Sequence, residues 1–536
     1  LVNQQRSTLN LFNLQPSPLI PYIFLYAYFA VLMFSLWKLF QKAGKPAWAG
    51  FVPGYNILVW LKITGKPWWW IVLFIVPGVN LLMFIIMNVN ISIVLGRRDF
   101  KEHVLMTFLP WWKVPETVFA QNAYAGPIPV AQRKRGLLGQ WGDAILFAVI
   151  VATVFRTYTF EAFTIPTPSM EKSLLVGDYL FVSKLSYGPR LPMTPLTFPF
   201  THHTIPVVNS PSFVNWFSQP YRRLPGLGKP QRGDAVVFNF PEGDTVLANV
   251  QNQSYYQLAR EHPRKKLADP SYRHANLRDG EQRPIPGGGI LVRPIDKREN
   301  YIKRCVALAG DSVRIEHGQL FVNGKASPLS PTGQLSHEFI LKQPFSPDRL
   351  KKLFDISAND IYQAQLQDGR YLAIIPCSPE VAEKLGKFDS VESMTRQDRE
   401  RGFYADQRYH NPIFPNDPRF DWTEDNFGPL WIPKQGATIQ LTLENLPLYR
   451  RVIDVYEDHD LEVKGDQILI DGQPATSYTF QQDYYWLMGD NRHRSQDARF
   501  WGFVPFDHVV GKAVLVWFTK DPETGIRWKR LFSGVK

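Results

Sequence analysis

Three short stretches hold residues that could do chemistry together. The first is Ile165-Pro166-Thr167-Pro168-Ser169-Met170, where two prolines stiffen the approach to a serine. Proline fixes its own φ and pushes the residue before it toward an extended conformation. A hydroxyl presented on so rigid a segment suits a nucleophile that must hold a reactive geometry. The second is Tyr301-Ile302-Lys303-Arg304-Cys305-Val306, a lysine inside an otherwise strand-like run. Strand alternation puts Lys303 and Cys305 on one face, Ile302 and Arg304 on the other. On a solvated face Lys303 is an ordinary surface cation. If buried, its ammonium form is disfavoured, and a neutral amine can take a proton near neutral pH. The third is Gly489-Asp490-Asn491-Arg492, followed by Ser495, Asp497 and Arg499. Its opening is a turn by composition, and Asp497 with Arg499 can form a charge-assisted pair that fixes a loop.

These stretches need elements to position them. From Tyr158 onward, short β-rich runs alternate with Gly, Pro, Asp and Asn clusters, which predicts a mainly β region. Asp178–Lys184, Asp234–Phe240, Tyr301–Leu308 and Lys512–Phe518 are its clearest strands. Ser312–Lys325 and Asp460–Gln473 resemble each other. Each reads as a strand, a Gly-containing turn and a second strand, closed by Asn-Gly or Asp-Gly. That is a hairpin pattern with a further tight turn, either a repeated unit or a favoured local solution. Long polar segments interrupt the strands at 189–231, 243–299 and 326–447. Segments this long are usually insertions or separate units.

Before Tyr158 the chain is apolar. Pro18–Trp37, Trp68–Leu95 and Leu137–Phe155 are long enough to be read as bilayer spans. Pro18–Trp37 is not read as a cleavable signal, because no small-residue site follows it. Trp68, Trp69 and Trp70 read as an interfacial aromatic belt. Asn80, Asn88 and Asn90 are expected to bond between helices rather than line a path. The shorter Ala47–Leu61 carries Pro53, Gly54 and Asn56, and is a short span, a re-entrant element or a surface helix. The basic residues Arg97, Arg98, Lys101 and Arg133-Lys134-Arg135 place the segment between the second and third runs in the cytoplasm. Everything after about Arg156 then lies on the far side. The count is three or four spans.

The bulk numbers fit this division. The chain has 536 residues, too many for one core, 45% hydrophobic, with a formal charge of +12. No zinc-finger spacing, basic-region heptad or aromatic RNA-binding signature accompanies the charge, so no nucleic-acid partner is expected. Two cysteines, Cys305 and Cys377, are too few for a disulfide framework or a four-ligand zinc site. They are either two free thiols or one bridge. The adjacent His202 and His203 read as solvated, and no metal or cofactor is expected.

Taken together, the three chemical stretches resemble the conserved boxes of bacterial type I signal peptidases (leader peptidases). The resemblance covers Ile165–Gly188, Arg232–Pro241, Tyr301–Gly324 and Tyr484–Trp517. It implies Ser/Lys dyad catalysis by a membrane-bound endopeptidase that removes N-terminal signal peptides from exported preproteins. Ser169 would be the nucleophile and Lys303 the general base. Thr167 and the Ser169 backbone N–H would form the oxyanion hole, and Ser495 would orient the lysine. Asp497, Arg499, Gly489 and Asn491 would support the site, and Ile165 and Ile302 would wall a small substrate pocket. His493, Arg494 and Pro168 depart from the residues common in the family.

The implied organisation is N-terminal transmembrane α-helices followed by a mainly β exported catalytic domain with large insertions. Residues 1–136 are the membrane region with a cytoplasmic loop, 137–156 the last span, 157–325 and 448–536 the two parts of the catalytic domain, and 326–447 an insertion or subdomain. The implied location is the bacterial inner membrane, multi-pass, with the catalytic domain on the periplasmic or outer side. Partners would be signal-peptide-bearing preproteins, membrane lipid and the export machinery. A dedicated Ser/Lys protease with few substrates, an inactive membrane scaffold and a transporter are the competing readings.

Overall fold

The computed structural model describes residues 19–75, 79–127, 148–149, 151–198, 201–205, 210–214, 218–261, 273–278, 284–286, 288–405, 411–521 and 525–535. Two units divide them. One contains Leu1–Thr159 and Leu191–Arg222; the other contains Phe160–Arg190 and Arg223–Lys536.

The first unit is helical at its N-terminal end. Helices α1 (Leu19–Lys42), α2 (Tyr55–Ile63), α3 (Val79–Val94), α4 (Phe100–Phe108) and α5 (Pro110–Phe119) follow in order. Leu36, Leu39, Phe40, Trp60, Met87, Ile91 and Val118 make their shared core. Asn88 on α3 donates to the Tyr28 hydroxyl on α1 at 3.0 Å, a bond between helices. Asn90 instead donates to Ile86 O one turn back at 2.6 Å. Within the apolar run Trp68–Leu95 the described residues form a turn at Trp68–Trp70, a short helix Ile71–Ile75 and α3; residues 76–78 lie outside the described residues. Among the described residues, no helix is long and apolar enough to cross a membrane. Residues 137–147 of the Leu137–Phe155 run lie outside the described residues.

The second unit is built on a large antiparallel sheet. Its spatial order is Phe160–Thr164, Asp178–Ser183, Val509–Asp521, Ala235–Asn239, Asn300–Ala307, Tyr484–Met488 and Val504–Pro505. Alternation buries both faces. Ala235 and Val237 face one core with Ile165, Leu180 and Val182. Val236 and Phe238 face another with Cys305, Leu487 and Trp501. Cys305 and Cys377 are buried free thiols.

The two similar segments adopt the same structure. Ser312–Glu316, Gln319–Val322 and Lys325–Ala326 form one meander; Leu461–Lys464, Gln467–Ile470 and Gln473–Pro474 form the other. Their second turns both need positive φ at two positions. Asn323 and Gly324 supply 52° and 76°, and Asp471 and Gly472 supply 51° and 76°. Each turn carboxamide or carboxylate then accepts from the start of its own unit. Ser312 N donates to Asn323 Oδ1 and Asp460 N to Asp471 Oδ1, each at 2.9 Å.

The long segment 326–447 holds a folded module. Strands Leu335–Leu341, Tyr362–Gln365, Tyr371–Cys377 and Val391–Arg396 alternate with helices Pro347–Phe354 and Pro379–Gly386 as βαββαβ. In space the second strand pairs with the third, the third with the first, and the first with the fourth, all antiparallel. That is the split βαβ, ferredoxin-like arrangement. Phe339, Leu341, Leu350, Ile375 and Leu385 make a core of its own.

Candidate active site

Ser169 sits in a closed loop between two neighbouring strands of the large sheet. Ile165 N donates to Asp178 O and Gly177 N to Ile165 O, both at 2.9 Å, so the loop ends are tied. Gly177 has φ +87°, and a Cβ there would lie 2.0 Å from Lys520 O. Thr167 takes the extended conformation that the following proline favours, with φ −128° and ψ 153°. The chain then tightens into a single turn, Pro168–Met170, which carries Ser169.

Lys303 lies on Asn300–Ala307, between Ala235–Asn239 and Tyr484–Met488. It is only 4% exposed, so it is not a surface cation. Its Nζ lies 2.6 Å from Ser169 Oγ. Burial pushes the amine down to about 8, against the pull of the Asp497 carboxylate. An amine so tuned and so placed can accept the serine proton.

The third stretch closes over the first. Asn491 N donates to Ser169 O at 3.1 Å, and Asn491 Nδ2 to Pro168 O at 3.2 Å, so one residue grips the serine turn twice. Gly489 N donates to Asp497 Oδ2 at 3.0 Å. Arg499 meets Asp497 through two parallel bonds, Nε to Oδ1 at 2.9 Å and Nη2 to Oδ2 at 2.8 Å. Both are buried. Gly489 has no room for a side chain, since a Cβ would lie 2.2 Å from Ser495 Oγ and 2.6 Å from Ser169 O. Ser495 is therefore packed beside the serine turn, but it does not bond Lys303. Its hydroxyl is buried without a hydrogen-bond partner.

A cavity of about 470 Å³ opens onto these groups. Its wall is mostly apolar, with Phe163, Ile165, Leu180, Val237, Tyr301 and Ile302. Thr167, Ser169 and Lys303 lie along it, and Arg494 and Gln496 supply further polar groups.

Several residues near the site carried no signal in the sequence beyond their position. Arg304 binds the Asp490 carboxylate through Nε to Oδ1 at 2.9 Å and Nη2 to Oδ2 at 2.6 Å, both residues buried. The ferredoxin-like module reaches the same region. Gln334 N donates to Asp490 O at 2.8 Å and Arg492 N to Gln334 O at 2.9 Å. Ser336 N donates to His493 Nδ1 at 2.9 Å, and the other ring nitrogen meets Asp425 Oδ1 at 2.9 Å. Arg494 is ion-paired with Asp360 of the module. Glu171, two residues past Ser169, is pushed up to about 7 by burial and by the Asp360 carboxylate. No group of three or more His, Cys, Asp or Glu among the described residues could hold a metal ion.

A buried hydroxyl facing an amine of depressed basicity, beside an apolar cleft, is an arrangement able to support hydrolase chemistry with a serine nucleophile. Comparison with known proteins narrows the class. Residues 138–374 and 462–518 match the family described as signal peptidase, peptidase S26. The signal peptidase I of Haemophilus influenzae is 24% identical over 72% of this chain and 73% of its own length. That of Aquifex aeolicus is 23% identical over 70% and 82%, and that of Helicobacter pylori 21% over 72% and 89%. Residues 48–127 match a family of unknown function (DUF5684). The chain belongs to the signal peptidase (S26) family and is a serine endopeptidase, a type I signal peptidase with a mainly β catalytic domain.

Proposed function

We propose that this peptidase removes signal peptides through a Ser169/Lys303 dyad, acting on preproteins after their export. The observation that carries the reading is the 2.6 Å approach of Lys303 Nζ to Ser169 Oγ in a largely apolar cleft. Neutral Lys303 takes the Ser169 proton as the hydroxyl attacks the scissile carbonyl. The Ser169 N–H and the Thr167 hydroxyl stabilise the oxyanion, where one donor is typically worth about 2.7–4 kcal/mol. As the oxyanion collapses the scissile C–N bond breaks, the Lys303 ammonium gives its proton to the leaving amine, and the resulting acyl-enzyme is hydrolysed by a water that the again neutral Lys303 activates. Ser495, unpaired in the free enzyme, orients the amine once substrate tightens the site, since catalytic hydrogen bonds are often loose before binding. Asn491 and Gly489 hold the serine turn, and the Asp497–Arg499 pair holds Gly489.

The cavity walls formed by Ile165 and Ile302 favour small side chains before the cut, an Ala-X-Ala-like site. The chain is anchored in the bacterial inner membrane by its apolar runs, with the catalytic unit on the outer side; the positive charges before Leu137 support that orientation.

The test is cleavage of a preprotein with an Ala-X-Ala site by the detergent-purified chain, against Ser169→Ala and Lys303→Ala. Cleavage at that site, lost in both variants, is the expected result. Cleavage surviving in Ser169→Ala would overturn the assignment of the nucleophile.

A further inference from the structure

Helices α4 and α5 are built inside out. On α5, Trp111, Trp112 and Phe119 are exposed at 57%, 54% and 51%, with Phe108 at the end of α4 at 71%. Their positions, 111, 112 and 119, lie on one helical face at helical spacing. The opposite face is buried through Val114, Thr117 and Val118, and it also carries Lys113. Lys113 is 5% exposed, 2.9 Å from Glu102 and 2.8 Å from Glu116. Arg97 completes the network at 2.9 Å from Glu116. Two cations and two anions therefore neutralise one another around the buried Lys113, the other three partly exposed, while the aromatic rings point out. Lys42 is also turned inward, donating to Ala120 O at 2.6 Å and Asn122 O at 2.9 Å.

In water this arrangement is costly on both sides, because the Lys113 ammonium is desolvated and the large apolar rings are not. In lipid the same arrangement lowers the energy: ionisable residues face the protein interior, paired, and apolar ones face outward. α5 has ten residues, about 15 Å of helix, half the thickness of a bilayer core. It is too short to span. Tryptophan prefers the headgroup level. Arg98 and Lys101 are exposed at the start of α4 with Asp99 between them, and the net positive charge of the three complements anionic headgroups.

We propose that the α4–α5 hairpin lies in the headgroup–acyl boundary of the cytoplasmic leaflet, seating the Trp111, Trp112 and Phe119 face in anionic lipid. The segment is then a membrane-embedded part of the enzyme rather than a loop in the cytoplasm. This rests on the membrane-anchored reading above, and the two fail differently.

The test puts a spin label at Trp112→Cys in the full chain, reconstituted in nanodiscs of phosphatidylcholine and phosphatidylglycerol. The native cysteines are buried, so the label goes to the new site. Collision with oxygen, which enriches in lipid, is compared with collision by a water-soluble nickel chelate. Expected is an oxygen-to-nickel ratio above one at Trp112→Cys and below one at Arg98→Cys. Nickel dominance at both sites would overturn the hairpin proposal while leaving the anchor intact. Low collision with both reagents at Trp112→Cys would mean that protein covers the face, and would overturn it too. A chain that never enters the discs would remove the anchored reading itself. Phe119→Cys repeats the measurement if Trp112→Cys does not retain cleavage activity.

Discussion

Replacing the buried lysine with an apolar side chain of similar length should stabilise the enzyme while destroying its activity. Lys303 is held at about 8 in the folded chain, below its ordinary 10.5, chiefly by burial. The sign follows from proton counting. Between about pH 8 and 10.5 the unfolded chain binds more protons at this position than the folded one, so stability rises with pH there. Below about 8 both states are protonated, and the folded state carries the full penalty. At 1.36 kcal/mol per pH unit that penalty is about 3 kcal/mol. Lys303→Met removes it, but leaves the Ser169 hydroxyl without its partner, a loss of about 0.5–1.5 kcal/mol. The net expectation at pH 7 is a gain of about 1–3 kcal/mol, read by urea denaturation of the full chain in detergent. The gain should shrink as pH rises from 8 toward 10.5, because the wild type sheds its own penalty. A variant less stable than wild type at pH 7, or a gain independent of pH, would refute the argument that Lys303 is buried against its charge. In the wild type the same value predicts a cleavage rate that rises with pH through about 8. Roughly a tenth of the lysine is neutral at pH 7 at that value, against a few parts in ten thousand for an ordinary one.

Three further outcomes follow from the site. Thr167→Val should lower kcat by roughly 10²–10³-fold with little change in KM; an unchanged kcat in a preprotein assay removes Thr167 from the oxyanion hole. Gly489→Ala forces a Cβ to within 2.2 Å of Ser495 Oγ and 2.6 Å of Ser169 O. It should cost about 1–3 kcal/mol of stability and abolish cleavage, whereas Gly228→Ala, with nothing within 4 Å of its Cβ, should leave kcat unchanged. Asp360→Asn frees Arg494 at the cavity wall. It should lower KM roughly two- to fivefold, the worth of a partly exposed ion pair, for peptides with an acidic residue near the cut and not for neutral ones.

Each local signal for Ser169 and Lys303 is weak by itself, and their pairing was legible only because three such stretches together resemble the signal peptidase boxes. Prolines fix the extended approach to Ser169, and alternation puts Lys303 on the face of Cys305, but that this face is buried is seen only in the structure. The tight turns at Asn323-Gly324 and Asp471-Gly472 were legible from their own residues: few residue pairs accept positive φ twice. The ferredoxin-like module was read only as a segment too long to be a loop. Its helices do announce themselves, since Ser346-Pro347 and Ser378-Pro379 each place a capping hydroxyl before a first-turn proline. Ser346 and Ser378 indeed accept from Arg349 N and Val381 N. What no local pattern carries is the order of strands in space, nor that Gln334, Ser336 and Asp360 meet the loop after Gly489. The partnership of Arg304 with Asp490 is of that kind as well. Asp490 reads as a turn residue until Arg304 and Met488 are known to be paired across strands.

That partnership explains how the loop can be rich in charge beside a lysine that must give up its proton easily. A lone carboxylate near Lys303 would favour the ammonium form and undo the effect of burial. Asp490 and Asp497 both pull in that direction. Each is matched by a buried guanidinium, Arg304 and Arg499, in a two-bond geometry. Arg499 pushes the lysine down as Asp497 pulls it up. The pairs thus fix the backbone of the Gly489–Asn491 turn with strong, oriented bonds while adding little net charge to the site. A loop held by apolar packing alone would have lacked the direction that Gly489 N and Asn491 need to grip the serine turn. One held by carboxylates alone would have kept Lys303 protonated, and an ammonium cannot take the proton from Ser169.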